Sequence, residues 1–99
     1  MLKELSNSEI TNMLGERLQQ YRLILNITQK ELSEKSMVSL PTIQKLESGK
    51  AKNITFNNLM SILRQLGLIE NIDKLVPEQP ESPYQKRHRQ RIRHGNTEK

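Results

Sequence analysis

The chain has 99 residues, of which 33% are hydrophobic and 27% charged, so it is expected to hold one small domain and a tail rather than two domains. It contains no cysteine, which excludes disulfides and thiolate metal sites, and no apolar run near the roughly 18 residues of a membrane span. The formal net charge of +5 and the pI near 9.8 favour a polyanionic partner. The first residues lack the charged-then-apolar order of a signal peptide, and we expect a cytoplasmic protein.

The first predicted element is a helix. Residues 1–9 are expected to form a frayed lead-in, in which Ser6, with a glutamate three residues on, has the pattern of a capping box. Apolar residues then recur on one helical face, at positions 10, 13, 14, 18, 21 and 25. The helix is expected to run from Ile10 to about Leu25 and to end at Asn26, because asparagine tolerates the left-handed conformation.

The central residues, 28–47, predict two short helices joined by a tight turn. Thr28 and the glutamate three residues on form a capping box, so a helix should begin there and run about two turns to Lys35. Ser39 is a second N-cap, and the proline two residues later lies in a first turn, where a missing N–H does no harm. The second helix should run to position 47 and close at Gly49.

The side chains of these two helices divide between a predicted core and a predicted solvent face. The apolar residues expected to face a common core are Leu32, Met37, Val38, Ile43 and Leu46. The residues expected on the solvent side are Gln29, Lys30, Leu40, Thr42, Gln44 and Lys45. A short polar helix held across another by a turn of about three residues is a helix-turn-helix, whose second helix can lie in the major groove of DNA.

Two further helices are predicted after a short basic loop at residues 49–53. Thr55 has the position of an N-cap, and an apolar stripe that ends at Gly67 predicts a fourth helix with Phe56 in the core. The stripe consists of Phe56, Leu59, Ile62, Leu63 and Leu66. Residues 68–76 predict a short fifth helix that stops before a proline.

The last residues, 77–99, are expected to form a Pro-rich linker and a disordered basic tail. Tyr84–Gly95 carries five Lys or Arg and two His with no acidic residue. Three interpretations stay open: a solvated end, a basic arm on DNA phosphates, or a segment that orders on a protein partner. His88 and His94 have neither a Cys nor an acidic neighbour, so we expect no metal site.

The chain resembles the phage repressor and Cro family of helix-turn-helix proteins, also called the XRE type, in Thr28-Gln29-x-x-Leu32, Val38-Ser39, Thr42-Ile43 and Leu46-Glu47-x-Gly49-Lys50. The resemblance extends from about Leu14 to Leu66. It implies an all-α fold, namely a five-helix lambda-repressor-like DNA-binding domain, which we expect to span residues 10–76.

The resemblance also implies roles for individual residues. The positions that match base-reading residues are Leu40, Pro41 and Lys45, with Gln44 nearby. Positions that match phosphate-binding residues are Gln29 and Thr42, and we expect further phosphate contacts from Ser39, Lys50, Lys52 and Asn53. Arg22 and Glu47 match a largely buried ion pair between the first and third helices, and we interpret both as structural.

Two positions depart from the family pattern. Met37 occupies a turn position that is commonly glycine, which a residue with a side chain fills at a steric cost. Leu40 and Pro41 are apolar, so base recognition there would be limited to contacts such as a thymine methyl group. This apolar pair keeps open the alternative that the protein is an interaction module without specific DNA binding.

A homodimer is expected, because the fifth helix carries more apolar residues than are needed to cover the fourth, and because a two-fold dimer reads two half-sites of an operator. The expected interface residues are Leu66, Leu68, Ile69, Ile72 and Leu75.

The end of the predicted domain is similar to small HipB-type antitoxin regulators, in the order of its last helices and in the segment Leu75-Val76-Pro77-Glu78-x-Pro80-x-Ser82-Pro83. This similarity implies a nucleoid-bound repressor of its own operon that also restrains a HipA-type kinase toxin. A stand-alone or phage-type regulator is the alternative. An enzyme is not expected, because the domain lacks a combination of nucleophile, histidine and carboxylate, and no cofactor is predicted.

Overall fold

The computed structural model describes residues 2–51 and 53–80. This part of the chain is all-α, with five α-helices and no strand, which confirms the predicted fold class. The helices are α1 (Asn7–Ile24), α2 (Gln29–Ser36), α3 (Leu40–Ser48), α4 (Phe56–Gln65) and α5 (Ile72–Leu75). Short 3-10 turns lie at Leu2–Glu4 and Ile69–Asn71. The predicted basic tail at Tyr84–Gly95 lies outside the described residues.

α1 begins earlier than predicted. The Ser6 hydroxyl accepts a hydrogen bond from the backbone N–H of Glu9 at 3.0 Å, and the Glu9 carboxylate accepts one from the N–H of Ser6 at 2.8 Å. Because this capping box is complete, the helix starts at Asn7, and the predicted start at Ile10 is wrong. The other end follows the prediction, since Asn26 is left-handed with φ 59°.

The caps of α2 and α3 follow the prediction, but the turn between them does not. Thr28 and Ser39 both cap the helices that follow them, and Gly49 closes α3 with φ 80°. Met37, predicted to lie in the core, is instead 89% exposed. The reason is its left-handed backbone, with φ 62°, which ends α2 and turns the chain so that Val38 enters the core in its place.

The hydrophobic core is built from α1 to α4, and its buried residues are Leu18, Leu32, Val38, Ile43, Leu46, Ile62 and Leu66. Leu66, also predicted as a dimer-interface residue, is only 4% exposed within the core of the single chain and offers a partner little surface. Phe56, predicted to be buried, is 49% exposed. At 3.6 residues per turn, Phe56 lies roughly 80–120° around α4 from Leu66 and Ile62, which form the buried face.

The backbones of α1 and α3 approach closely at Gly15. A Cβ atom at this position would overlap the backbone oxygen of Leu46, so the approach requires a glycine. Arg22, about two turns further along the same face of α1, lies against Glu47 of α3. Gly15 and Arg22 therefore both lie on the face of α1 that packs against α3.

The chain after α4 departs from the predicted helix at residues 68–76. Gly67 is left-handed with φ 75°, and the N–H of Leu68 bonds back to the carbonyl of Leu63 at 2.8 Å. This arrangement is a Schellman motif, which ties the chain to the end of α4 and prevents immediate helix formation. The predicted fifth helix is therefore reduced to a 3-10 turn and the four residues of α5. Val76 is extended, as expected for a residue before proline.

Candidate DNA interface

The face of α3 that points away from the core carries the predicted base-reading residues. Ile43, Leu46 and Glu47 are buried and define the inner face of the helix. The outward face lies on the other side of the helix from these buried residues. It consists of Leu40, Pro41, Gln44 and Lys45. All of these are exposed except Leu40, which is half-buried and can therefore offer a partner only part of its side chain.

An open cleft of about 410 Å³ lies between α3 and the loop that follows it. Its lining residues are Thr42, Lys45, Lys50, Ala51 and Asn53. The structure thus brings three predicted phosphate-binding residues together with one predicted base-reading lysine. The described lining has two ammonium groups and no carboxylate, which suits a phosphate oxygen. Lys52, predicted to act with them, lies outside the described residues.

The Thr42 hydroxyl at this cleft is oriented by Ser39. The two hydroxyl oxygens lie 2.7 Å apart, and Ser39 Oγ also accepts a hydrogen bond from the backbone N–H of Thr42 at 3.3 Å. The Ser39 hydroxyl therefore acts as the N-cap of α3. Thr42 lines the cleft, whereas Ser39 lies outside its lining.

A buried ion pair connects three helices behind the interface. Arg22 Nε donates to Glu47 Oε2 at 2.7 Å, and Arg22 Nη2 donates to Glu47 Oε1 at 2.9 Å, so the pair is bidentate. Arg22 Nη1 donates to the carbonyl of Ile27 at 2.7 Å. Gln29 Nε2, from the start of α2, donates to Glu47 Oε1 at 2.8 Å. The predicted pair of Arg22 and Glu47 is therefore present, and a glutamine predicted to bind phosphate is attached to it.

The N-terminus of α2 is closed by a complete capping box. The N–H of Thr28 donates to the Glu31 carboxylate at 2.8 Å, and this backbone hydrogen bond lowers the pKa of the Glu31 carboxyl. The Thr28 hydroxyl in turn accepts from the N–H of Glu31 at 3.0 Å. The cap leaves the first two backbone N–H groups of the helix, those of Gln29 and Lys30, for an external acceptor such as phosphate.

An apolar groove of about 280 Å³ lies on another side of the molecule, between α1, α4 and the C-terminal residues. Its apolar lining consists of Leu14, Leu18, Tyr21, Leu59, Leu63, Leu68, Ile72 and Leu75. Three predicted dimer residues, Leu68, Ile72 and Leu75, are therefore part of one surface. The groove is open at its edges, since Tyr21 is 47% and Leu75 is 58% exposed.

Residues 18–70, more than half of the chain, match a protein-family model described as helix-turn-helix. The protein belongs to this helix-turn-helix family. The match confirms the XRE-type resemblance. Members of this family are DNA-binding transcription regulators, and the helix-turn-helix protein is one of them. A comparison with curated proteins found no significant match.

The described residues of the helix-turn-helix protein were compared with the requirements of a membrane span and of a metal site. None of the helices in residues 2–51 and 53–80 is long and apolar enough to cross a membrane. The same residues contain no group of three or more His, Cys, Asp or Glu that could hold a metal ion. His88 and His94 lie outside them.

Sequence reasoning missed two features of this protein. The first is the hydrogen bond between Gln29 and Glu47, which joins residues 18 positions apart and has no local sequence signal. The second is the groove along α1. The apolar residues Leu14, Leu18 and Tyr21 recur on one face of α1 and line this groove. The repeat predicted a helix, but the sequence did not show which residues would form the other wall of the groove.

Proposed function

We propose that the protein is a sequence-specific repressor that inserts α3 into the major groove of an operator. The observation that carries this proposal is the cleft in which Thr42, Lys45, Lys50 and Asn53 meet beside the exposed face of α3. A phosphate held there would fix the position of the helix against the DNA backbone. Phosphate contacts then supply most of the affinity, and the face of α3 supplies the selectivity.

The exposed face of α3 offers two polar side chains to base edges. Lys45 is a donor that suits the O6 and N7 acceptors of guanine, and Gln44 can pair with the N6 and N7 groups of adenine. Pro41 and the accessible part of Leu40 can contact a thymine methyl group. The proposed phosphate contacts around this face are Gln29, Ser39, Thr42, Lys50, Lys52 and Asn53.

We further propose that the protein acts as a homodimer. The apolar groove beside α1 and the partly exposed residues after α4 support this proposal, because together they form an apolar surface that residues 2–51 and 53–80 do not cover. The proposed interface residues are Leu68, Ile69, Ile72 and Leu75. A two-fold dimer would place two α3 helices in successive turns of the major groove.

A finer proposal concerns the partner. The resemblance of the C-terminal residues to HipB-type antitoxins supports a role in which the protein represses its own operon and restrains a HipA-like kinase toxin. A kinase-like gene directly downstream, whose product copurifies with this protein, would support that role. Without such a gene, a stand-alone or phage-type regulator is favoured.

The distribution of charge supports a DNA-binding role for the tail. Residues 1–80 carry 10 Lys or Arg against 9 Asp or Glu, whereas residues 81–99 carry 6 against 2. Most of the net charge of +5 therefore lies beyond the helical domain. An arm with this charge would add phosphate contacts, and these would weaken as salt rises.

A titration against DNA from the gene's own upstream region, with random DNA as control and at two salt concentrations, tests the proposed function. A preference of about a thousandfold for the upstream DNA is expected. Lys45→Ala should remove about 1–3 kcal/mol of specific binding. Lys35→Ala is the matched control and should leave binding unchanged. Lys35 lies in the last turn of α2, at the opposite end of that helix from the proposed phosphate contact of Gln29.

One observation favours a second candidate function. The apolar pair Leu40 and Pro41 at the start of α3 suits a protein partner as well as a thymine methyl group. If the upstream and random DNA bind equally, salt erases both, and Lys45→Ala has no effect, the protein is an interaction module and the repressor proposal is wrong.

A further inference from the structure

We propose that Glu47 is a positioning residue for DNA binding, whose buried carboxylate orients the side-chain amide of Gln29 toward a DNA phosphate. This inference rests on the proposed phosphate contact of Gln29. It adds a function to a residue whose ion pair with Arg22 would otherwise be purely structural.

The Glu47 carboxylate of α3 accepts hydrogen bonds from side chains of both α1 and α2. Glu47 Oε2 accepts from Arg22 Nε, and Glu47 Oε1 accepts from both Arg22 Nη2 and Gln29 Nε2. Arg22 lies on α1, Gln29 is the first residue of α2, and Glu47 lies on α3. The side chain of Glu47 is 3% exposed, so these hydrogen bonds form in a site from which water is largely removed.

The carboxylate dictates which way the Gln29 amide faces. An amide has an acceptor oxygen on one side and two N–H donors on the other, and a carboxylate can only accept. Gln29 must therefore turn its nitrogen toward Glu47, and its second N–H stays available to another acceptor. Because the amide is already held in place, DNA binding costs less side-chain entropy than it would with a freely rotating glutamine.

The arrangement does not place a bare negative charge beside the DNA. Arg22 forms a bidentate pair with Glu47, and the two charges cancel at short range. The Gln29 bond is also separable from this pair. When the amide is removed, Glu47 keeps both of its hydrogen bonds from Arg22, so Gln29→Ala should leave the protein folded.

The test compares the effect of Gln29→Ala in two backgrounds of the full chain. One is the native sequence, and the other is the double variant Arg22→Met/Glu47→Leu, which replaces the ion pair with apolar side chains of similar length. Kd for the upstream DNA duplex is measured for each protein. Gln29→Ala is expected to weaken binding about tenfold in the native background and less than about twofold in the apolar background.

Lys45→Ala serves as the matched control, since Lys45 does not contact the network and should lose the same factor in both backgrounds. If Gln29→Ala keeps its full effect in the apolar background, Glu47 does not position the amide and the inference is overturned. If Gln29→Ala has no effect in either background while Lys45→Ala does, the phosphate contact of Gln29 is wrong and the inference fails with it, but the repressor proposal stands.

A second measurement tests the hydrogen bond on which the inference depends if the double variant does not fold. In ¹⁵N-edited spectra of the native protein, one of the two Gln29 Nε2 protons should exchange with solvent at least about tenfold more slowly than the other, because it is bonded to Glu47. Glu34→Gln, an exposed change on α2, should leave this difference in place. Equal exchange of the two protons would overturn the inference.

Discussion

Removal of the Glu47 carboxylate is predicted to have a large effect on stability. In Glu47→Ala the guanidinium of Arg22, whose side chain is 8% exposed, keeps only its hydrogen bond to the carbonyl of Ile27. An unpaired buried charge of this kind costs about 3–5 kcal/mol. A domain of this size has a free energy of unfolding of about 4–12 kcal/mol, so the variant should lose a large share of its stability.

Urea unfolding followed by far-UV circular dichroism measures this loss. With a slope of about 1–3 kcal/mol per molar urea, the midpoint should fall by more than about 1 M. Glu34→Ala, which removes an exposed carboxylate on α2, should change the free energy of unfolding by less than about 0.5 kcal/mol. The reasoning is refuted if Glu47→Ala loses less than about 1 kcal/mol, because Arg22 would then be solvated rather than buried.

Three more substitutions test other parts of the fold. Gly15→Ala should destabilise the protein by about 1–3 kcal/mol in thermal unfolding, since the new methyl group overlaps the backbone of Leu46, and an unchanged melting temperature would contradict the close crossing. Met37→Gly should stabilise it by about 0.5 kcal/mol by relieving a left-handed backbone, whereas Met37→Ala should give no gain. The lowered pKa of Glu31 means that its stabilisation is present above the unfolded pKa and is lost as pH falls through the folded pKa. Glu31→Gln should therefore flatten the acid limb of stability against pH, and Glu34→Gln should not.

The helix boundaries that depend on local chemistry were predictable from the sequence. Thr28 and Ser39 cap α2 and α3 as expected, and Asn26 and Gly49 adopt the left-handed conformation at helix ends. A cap needs only a side-chain oxygen and the backbone of the next three residues, so its signal is contained in a few positions. The capping box at Ser6 was visible for the same reason, although its effect on the start of α1 was underestimated.

The burial of single side chains was less predictable. Met37 and Phe56 were expected in the core because they are apolar, yet both are exposed, while Leu66, expected both in the apolar stripe of α4 and in a dimer interface, is buried in the core. Polarity alone could not decide these cases. The left-handed turn at Met37 and the rotation of α4 decide which side chain points inward, and both depend on how the helices pack.

The sequence by itself determined an all-α domain with a helix-turn-helix at residues 28–49, because capping and hydrophobic periodicity are local properties. Only the tertiary structure decided what surrounds that motif. The crossing at Gly15 brings Arg22 against Glu47, and the packing of α2 on α3 adds Gln29 to the same carboxylate. These contacts join residues far apart in the chain, and their energies depend on burial, which exists only once the helices have packed.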